Sequence, residues 1–299
     1  MSPLILAGPT ASGKSEIALE LAAHMGAEIV AADSMQVYRS LDILSAKPTT
    51  AERGRVPHHC IDIADIAEEF TVARWLAAAN DAVASIGARD LTPLVVGGTG
   101  LYIRALRFGL DPNPPTPPEL RDALSARQLP DLIAELRQID PATADATDLK
   151  NRRRVERALA IALQGTRPNR TSWQTIPRPS TLVVISRDTE DLRDRICSRI
   201  DAMFAAGVVD EVRRLVAAGL RPGSQASQAL GLRQIEDLLA GRCDEPETKR
   251  RLATATRQFA KRQLTWFRRE TGAVWLDVPP SEDARCSARR IIELVAAHP

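Results

Sequence analysis

The sequence predicts an α/β fold in which helices cover a parallel sheet. Three short apolar runs have the length of buried strands, at Leu4–Ala7, Glu28–Ala32 and Pro93–Val96. Helical periodicity fills the segments between them, for example from Val72 to Ile86. Because strands that alternate with helices usually pair in parallel, the three runs are expected to lie side by side in one sheet.

A phosphate-binding motif follows the first strand. Residues 8–15 fit the pattern Gly-x-x-x-x-Gly-Lys-Ser and precede a helical stretch that runs to His24. Backbone N–H groups at such a turn surround an anion, Lys14 adds a positive charge, and the Ser15 hydroxyl can ligate Mg²⁺. A glycine turn that only caps a helix is the alternative. The motif predicts a P-loop NTPase-like core whose diphosphate ligands are Gly8, Pro9, Thr10, Ala11, Ser12, Gly13, Lys14 and Ser15.

Two further strand ends carry polar side chains. Asp33 follows the second apolar run, and Thr99 lies in the glycine turn 97–100 after the third. The carboxyl ends of parallel strands form one crevice, so both residues are expected to converge on the phosphate loop. An aspartate at a strand end can instead cap a helix or form a turn, and Thr99 can simply shape the glycine turn. Kinases and hydrolases with this loop usually place an acid after the later strand, where this chain has glycine.

A proline-rich segment then interrupts the α/β pattern. Residues 111–118 contain five prolines, which predicts a linker and excludes a helix. Helical patterns alone follow over residues 119–164, and the polar stretch 167–179 leads to an apolar strand at Thr181–Ser186. The predicted domains are an α/β core of residues 1–111 and 180–299 and a helical insertion of residues 112–179.

The C-terminal part of the core is predicted to be mainly helical. Helices are expected over 192–218, 228–240 and 249–268, followed by a strand at Ala273–Asp277 and a closing helix.

Basic residues are concentrated in two places although the net charge is only +2. Residues 249–269 hold eight Lys or Arg and no acidic residue, and Asn151–Arg154 with Arg157 forms a second cluster. Such clusters fit a nucleic-acid surface, and a solvated helix face is the alternative. His58 and His59 have no partner ligand at a suitable spacing, which favours local packing over metal binding.

The remaining composition is that of an ordinary folded protein. Hydrophobic residues make up 44% and charged residues 26% of the chain. The four cysteines are scattered without a close pair, and neither a signal peptide nor a membrane-spanning stretch is apparent. We therefore expect a soluble protein of the reducing cytoplasm.

Several motifs taken together resemble the tRNA dimethylallyltransferases, also called tRNA isopentenyltransferases or the IPP transferase family. The resemblance extends over most of the chain. It rests on the phosphate loop 8–15, the Asp-Ser-Met-Gln-Val-Tyr segment 33–38, the Pro-His-His region 56–63, the Gly-Gly-Thr-Gly-Leu-Tyr segment 97–102 and the C-terminal signature 256–268.

The resemblance implies a reaction and its partners. The exocyclic amine of the adenosine 3′ of the anticodon would attack dimethylallyl diphosphate, and pyrophosphate would leave. Because a stacked base cannot reach such a site, the nucleotide must be turned out of the tRNA anticodon stem-loop. Mg²⁺ is the expected cofactor, ATP is not required, and a monomer without a protein partner is expected.

The resemblance also implies roles for individual residues. Asp33 and Thr99 would be catalytic, with Asp33 deprotonating the amine and Thr99 contacting the same nucleotide. Arg233 is a further candidate for the diphosphate, with a surface salt bridge as the alternative. The tRNA contacts would be Asp33, Ser34, Met35, Gln36, Thr99, Arg121, Asn151, Arg154, Arg157, Arg257, Gln258, Lys261 and Arg262.

Five positions depart from the family pattern, among them Ser40 in place of a usual glycine and Ser45 in place of a usual threonine. Leu44 replaces a usual glycine, Cys60 a usual leucine and Leu232 a common tyrosine. Leu44 introduces a side chain where the backbone can approach a ligand, so it bears on substrate fit. Two other readings stay open at this point: a small-molecule kinase that binds ATP in the loop, and a nucleotide-gated RNA-binding protein without catalysis.

Overall fold

The computed structural model describes residues 2–110, 113–165 and 178–297. Its described residues form a six-stranded sheet in which every neighbouring pair is parallel, in the order β3-β2-β4-β1-β5-β6. The strands are β1 (Leu4–Ala7), β2 (Ala27–Ala32), β3 (His58–His59), β4 (Thr92–Gly97), β5 (Thr181–Ser186) and β6 (Ala273–Asp277).

Helices connect the strands. They are α1 (Lys14–Met25), α2 (Thr50–Arg55), α3 (Val72–Gly87), α4 (Gly100–Phe108), α5 (Pro118–Ser125), α6 (Leu129–Ile139), α7 (Pro141–Asp145), α8 (Arg152–Leu163), α9 (Thr189–Ala205), α10 (Val208–Ala217), α11 (Leu232–Leu239), α12 (Glu245–Phe267) and α13 (Ala284–Ala297). Within the described ranges, no helix combines the length and apolar composition needed to cross a membrane.

The predicted strands are confirmed almost to the residue. β1, β5 and β6 have the predicted bounds, β2 begins one residue earlier, and β4 is longer by one residue at each end. β1 lies in the middle of the sheet, and Ile5, Leu6 and Ala7 are inaccessible to solvent. An apolar run with no polar alternation is typical of a strand that is covered on both faces. The predicted α/β class with a parallel sheet is therefore confirmed.

The helix predictions were less accurate. The single helix predicted over 192–218 is wrong, because Gly207 takes a left-handed backbone conformation with φ +89° and separates α9 from α10. α12 begins earlier than predicted, since the Asp244 side chain accepts a hydrogen bond from the Glu247 N–H and caps the helix. Pro118, assigned to the linker, is the first residue of α5, where a proline needs no hydrogen bond for its nitrogen.

The chain divides into two compact units, a core unit of residues 1–107 with 178–299 and a helical unit of residues 108–177. The second unit holds α5 to α8 around its own apolar core, which includes Leu124, Leu132 and Leu159. Most of the polar stretch 167–179 lies outside the described residues, as do Asp111 and Pro112. The assignment of the helical unit to tRNA binding stays a prediction.

Candidate active site at the phosphate loop

The phosphate loop needs glycine at both ends for steric reasons. Gly8 has φ +152°, and a Cβ there would lie 2.9 Å from the Ile185 carbonyl oxygen on β5. Gly13 has φ +86° and forms the N-terminal boundary of α1. Side chains rarely adopt such backbone angles, so the two glycines allow the tight turn from β1 into α1. The turn leaves the N-terminus of α1 at the loop, where it favours an anion.

Lys14 lies half-buried beneath this loop. Its Nζ donates to the Pro9 carbonyl oxygen at 2.5 Å and is 3.5 Å from the Ser12 Oγ. Burial and the nearby Arg199 guanidinium lower the pKa of Lys14 to about 7, against an opposing effect of Asp33. A cation whose charged form is disfavoured in the free protein gains stability when an anion arrives. A phosphate group bound at the loop would therefore stabilise the charged form of Lys14.

Three arginines that were not predicted to belong to the site also reach the loop. Arg187 donates to the Ser12 carbonyl oxygen at 2.8 Å and Arg195 to that of Ala11 at 3.0 Å. Arg199 donates to the Thr10 hydroxyl at 3.3 Å, and burial lowers its pKa despite the nearby Asp33. The spacing of four between Arg195 and Arg199 places them on one face of α9, a signal that was visible in the sequence. Any solvated helix shows the same spacing, so only the fold identifies them.

The loops after β2 and β4 are tied together beside the phosphate loop. Asp33 Oδ1 accepts a hydrogen bond from the Met35 N–H at 2.8 Å. Thr99 Oγ1 accepts one from the Ser34 N–H at 3.1 Å, and the Thr99 N–H donates to the Ala32 carbonyl oxygen at 3.2 Å. The structure thus brings both predicted strand-end residues into one cluster. It also shows the turn-forming role of Asp33 that the sequence left open.

Two cavities meet at Asp33. The loop cavity, about 130 Å³, is lined by Thr10, Lys14, Ser15 and Asp33 together with apolar groups of β2 and β4. The helix cavity, about 330 Å³, lies beside α9 and α12. Its lining residues include Thr10, Asp33, Ser34, Met35, Thr99, Leu252 and Phe259. The Asp33 carboxylate therefore lies between the cavity at the phosphate loop and a roomier, largely apolar cavity.

The other predicted tRNA contacts in the core unit line one of the two cavities or are exposed on α12. Gln36 lines the loop cavity and donates to the Ala46 carbonyl oxygen at 3.1 Å. Arg262 lines the helix cavity, with its guanidinium 5.7 Å from the centre of the Phe259 ring. The remaining α12 candidates, Arg257, Gln258 and Lys261, are exposed.

Arg233 is exposed at the start of α11 and is not among the described residues that line these two cavities. Its assignment to the diphosphate stays a prediction.

The predicted residues of the helical unit have local contacts. Asn151 caps α8 by accepting a hydrogen bond from the Arg154 N–H at 3.3 Å. Arg157 donates to the Pro114 carbonyl oxygen and to the Thr116 hydroxyl, both at 2.9 Å. Arg154 is exposed and Arg121 is partly buried. Asn151 and Arg157 thus have structural roles, and the predicted tRNA contacts of all four residues stay predictions.

Leu44, the principal departure from the family pattern, packs into the wall of the helix cavity. Its side chain is buried, and a Cβ on Gly231 would lie 3.0 Å from its Cδ1. The surrounding loop is held by the buried Glu211 carboxylate, which accepts the N–H groups of Asp42 and Ile43 at 2.7 Å and of Leu44 at 2.8 Å. The extra side chain is therefore accommodated by packing and narrows the helix cavity.

His58 and His59 make local contacts. His59 Nε2 lies 2.7 Å from the buried Glu28 carboxylate, and His58 Nδ1 lies 2.7 Å from the Val56 carbonyl oxygen. These contacts support the packing interpretation. In the part of the chain that the structure describes, no three His, Cys, Asp or Glu side chains form a metal-binding group.

The parallel sheet and the glycine loop that leads into α1 define a P-loop-type α/β phosphate-binding protein. The model of the family described as IPP transferase matches residues 36–270. A second model, described as isopentenyl transferase, matches residues 1–68. The chain belongs to the IPP transferase family.

Curated relatives match over most of the chain. A Trichlorobacter lovleyi protein named tRNA dimethylallyltransferase 1 is 42% identical over 286 residues, which cover 92% of this chain and 93% of the relative. A tRNA dimethylallyltransferase of Anaeromyxobacter dehalogenans is 41% identical and covers 98% of both chains. These relatives agree with the resemblance seen in the motifs.

Solved structures share the fold. The tRNA isopentenylpyrophosphate transferase of Bacillus halodurans aligns with a TM-score of 0.74 at 34% identity, over 99% of this chain and 96% of its own. A eukaryotic dimethylallyltransferase acting on tRNA aligns with a TM-score of 0.85 at 26% identity, over 100% of this chain and 80% of its own. The P-loop NTPase-like core is therefore shared with members of the same family.

Anion binding at the loop is expected to take up a proton. With a pKa of about 7, Lys14 is largely neutral at alkaline pH in the free protein. A bound diphosphate is expected to raise this pKa, because a nearby negative charge favours the charged lysine. At about pH 8, close to one proton should therefore be taken up for each diphosphate ester bound. Calorimetric titration in buffers of different ionisation enthalpy measures this number. A Lys14→Gln variant that takes up as many protons as the wild type would contradict the assignment.

Proposed function

We propose that this protein transfers a dimethylallyl group from dimethylallyl diphosphate to the exocyclic amine of the adenosine 3′ of the anticodon in tRNA. The observation that carries the proposal is the position of Asp33, which lines both the loop cavity, with Lys14, and the helix cavity, with Thr99. A donor held at the loop and a base in the helix cavity would meet at this carboxylate. Family membership and the names of the relatives support the same reaction.

The reaction requires one bond to form and one to break. The adenosine N6 attacks the first carbon of the donor, while the C–O bond to the diphosphate breaks and its electron pair leaves with pyrophosphate. The amine lone pair is delocalised into the base, so removal of its proton as the bond forms assists attack, typically by ~10²–10⁴-fold. Asp33 would accept that proton, and Thr99 would hold the same nucleotide.

The leaving diphosphate needs positive charge around it. Lys14, the N–H groups at the start of α1 and the Arg199 guanidinium would supply this charge. Mg²⁺ fits the site because Ser15 offers a hydroxyl and Mg²⁺ commonly takes its other oxygens from phosphates and water. When bound, the ion would neutralise developing charge on the diphosphate oxygens.

The tRNA backbone would lie against α12. Arg257, Lys261 and Arg262 are exposed on this helix, while Leu252, Ala260 and Phe267 bury its other side. Exposed cations on a well-packed helix are suited to phosphate contacts. The target base would then be turned out into the helix cavity.

The direct test is incubation of the protein with tRNA and labelled dimethylallyl diphosphate, followed by nucleoside analysis. Label on the adenosine 3′ of the anticodon, formed without ATP, is the expected result. ATP-dependent phosphorylation of a small molecule would favour a kinase. Binding of RNA without transfer of label would favour a non-catalytic RNA-binding protein.

The RNA-binding role of α12 predicts a change in salt dependence. Replacing Arg257, Lys261 and Arg262 by Gln is expected to weaken tRNA binding and to reduce the slope of log affinity against log salt by about 0.7–0.9 per lost phosphate contact. Affinity for dimethylallyl diphosphate should hardly change. Fluorescence titration of tRNA at several salt concentrations measures the slope.

Arg289→Gln is the matched control, since Arg289 is an exposed cation on α13 outside both basic clusters. The control should keep the wild-type slope. If the triple variant is well folded and also keeps that slope, α12 does not bind tRNA phosphates.

A further inference from the structure

Gln263 is a buried amide on α12 that joins two loops of the site. Its side chain is only 8% exposed. Its Oε1 accepts the Thr10 N–H of the phosphate loop at 2.8 Å, and its Nε2 donates to the Gly98 carbonyl oxygen after β4 at 2.9 Å. One side chain thus bridges a phosphate-binding loop and the loop that carries Thr99.

The close packing around Gly98 shows how tightly this bridge is held. A Cβ on Gly98 would lie 2.2 Å from Gln263 Nε2 and 3.2 Å from the Gly8 carbonyl oxygen. Any side chain at this position would displace the amide. The glycine therefore allows Gln263 to reach both loops.

The position of Gln263 relates it to both cavities. It is among the lining residues of the loop cavity and of the helix cavity. It also lies on the same helix as the exposed Lys261 and Arg262, which are two residues and one residue before it. A contact made by these exposed cations would therefore lie within two residues of the side chain that is hydrogen-bonded to the phosphate loop.

We propose that Gln263 is a positioning residue, which sets the separation of the phosphate loop and the Thr99 loop and so aligns the donor with the incoming base. It acts through the Thr10 N–H and the Gly98 carbonyl group, with no part in proton transfer. The inference rests on the proposed function, because it concerns the alignment of the two substrates of that reaction.

A Gln263→Glu variant gives a distinctive test. A protonated glutamic acid can still accept from Thr10 and donate to Gly98, whereas the ionised form has no donor and places a charge beside the Gly98 oxygen. Burial of this position opposes ionisation of the new carboxyl, whereas Lys14, Arg199 and Arg262, which line the same cavities, favour it. The single-turnover rate relative to wild type is expected to be roughly 10–100-fold low at about pH 8.5, where the carboxyl is ionised, and to rise as the carboxyl is protonated at lower pH. Dividing the variant rate by the wild-type rate at the same pH removes the pH dependence that both proteins share.

Gln263→Leu removes both hydrogen bonds at every pH and should stay slow throughout. Ser281→Glu, an exposed substitution in the turn before α13, is the control and should keep a constant ratio near one. Unfolding temperatures and tRNA affinity are measured for each variant across the same pH range. A flat ratio near one for Gln263→Glu, or a rate that follows only the folded fraction, would overturn the proposal.

Failure of the proposed function would appear separately. If the wild type transfers no label, the role of Gln263 is tested by amide hydrogen exchange. The exchange rate is measured for the peptide that contains residues 8–15, in wild type and in Gln263→Leu. Faster exchange there in Gln263→Leu, with weaker pyrophosphate binding, would support the bridge between the loops. Unchanged exchange and unchanged binding would overturn it.

Discussion

Replacing Asp33 by Asn is expected to lower the single-turnover rate of prenyl transfer by roughly two to four powers of ten. The amide is similar in shape and keeps an oxygen that can accept the Met35 N–H, now at 2.8 Å from Asp33 Oδ1. What it loses is the ability to take a proton from the adenosine amine. Binding of tRNA and of dimethylallyl diphosphate should therefore remain close to wild type. Rapid-quench measurement with saturating substrates separates the rate from binding.

Asp90→Asn is a suitable control for this substitution. Asp90 is exposed in the turn before β4 and has φ +56°, a conformation that Asn accepts readily. The control should transfer the prenyl group at the wild-type rate. A near-normal rate in Asp33→Asn would reduce Asp33 to the turn-forming role that its hydrogen bond to Met35 already shows.

Replacing Lys14 by Met is expected to weaken donor binding by about 10–100-fold, since a charge-assisted hydrogen bond to the diphosphate is lost. The rate with bound donor should fall by a further factor of roughly 10²–10³, because the same charge stabilises the departing pyrophosphate. Equilibrium binding of labelled donor and single-turnover transfer measure the two effects separately. Unchanged donor affinity in a folded variant would show that the phosphate loop is not the donor site.

The stability of the unliganded variant provides a check against misfolding. The pKa of Lys14 is lowered in the folded protein, from 10.5 to about 7, so the unfolded chain binds more protons between these values. The cost of keeping Lys14 charged is fully present below pH 7 and is relieved as pH rises toward 10.5. Lys14→Met should therefore be more stable than wild type near neutral pH, with a difference that shrinks in alkali. Loss of activity together with gained stability would separate a functional loss from a damaged fold.

Elements with a local signal were predictable. β1, β5 and β6 are short apolar runs between polar or glycine-rich turns. Burial on both faces requires that pattern in β1 and β5, whereas β6 is an edge strand on which Trp275 is 38% exposed. The break at Gly207 was missed because a helical pattern continues on both sides of it. A glycine in such a pattern is also compatible with an uninterrupted helix.

In the candidate site, too, the features with a local sequence signal were predictable and those that depend on long-range packing were not. The sequence alone determined the phosphate loop, because its glycines are required by backbone angles within eight residues, and the meeting of Asp33 with Thr99, because parallel strand ends share one edge. Only the tertiary structure decided that Arg199 and Gln263 reach Thr10, across 189 and 253 residues of sequence. An arginine or glutamine on a helix leaves the same local pattern whether it faces water or a loop. The difference lies in how α9 and α12 pack against the loops at the strand ends, and that packing depends on contacts made throughout the core.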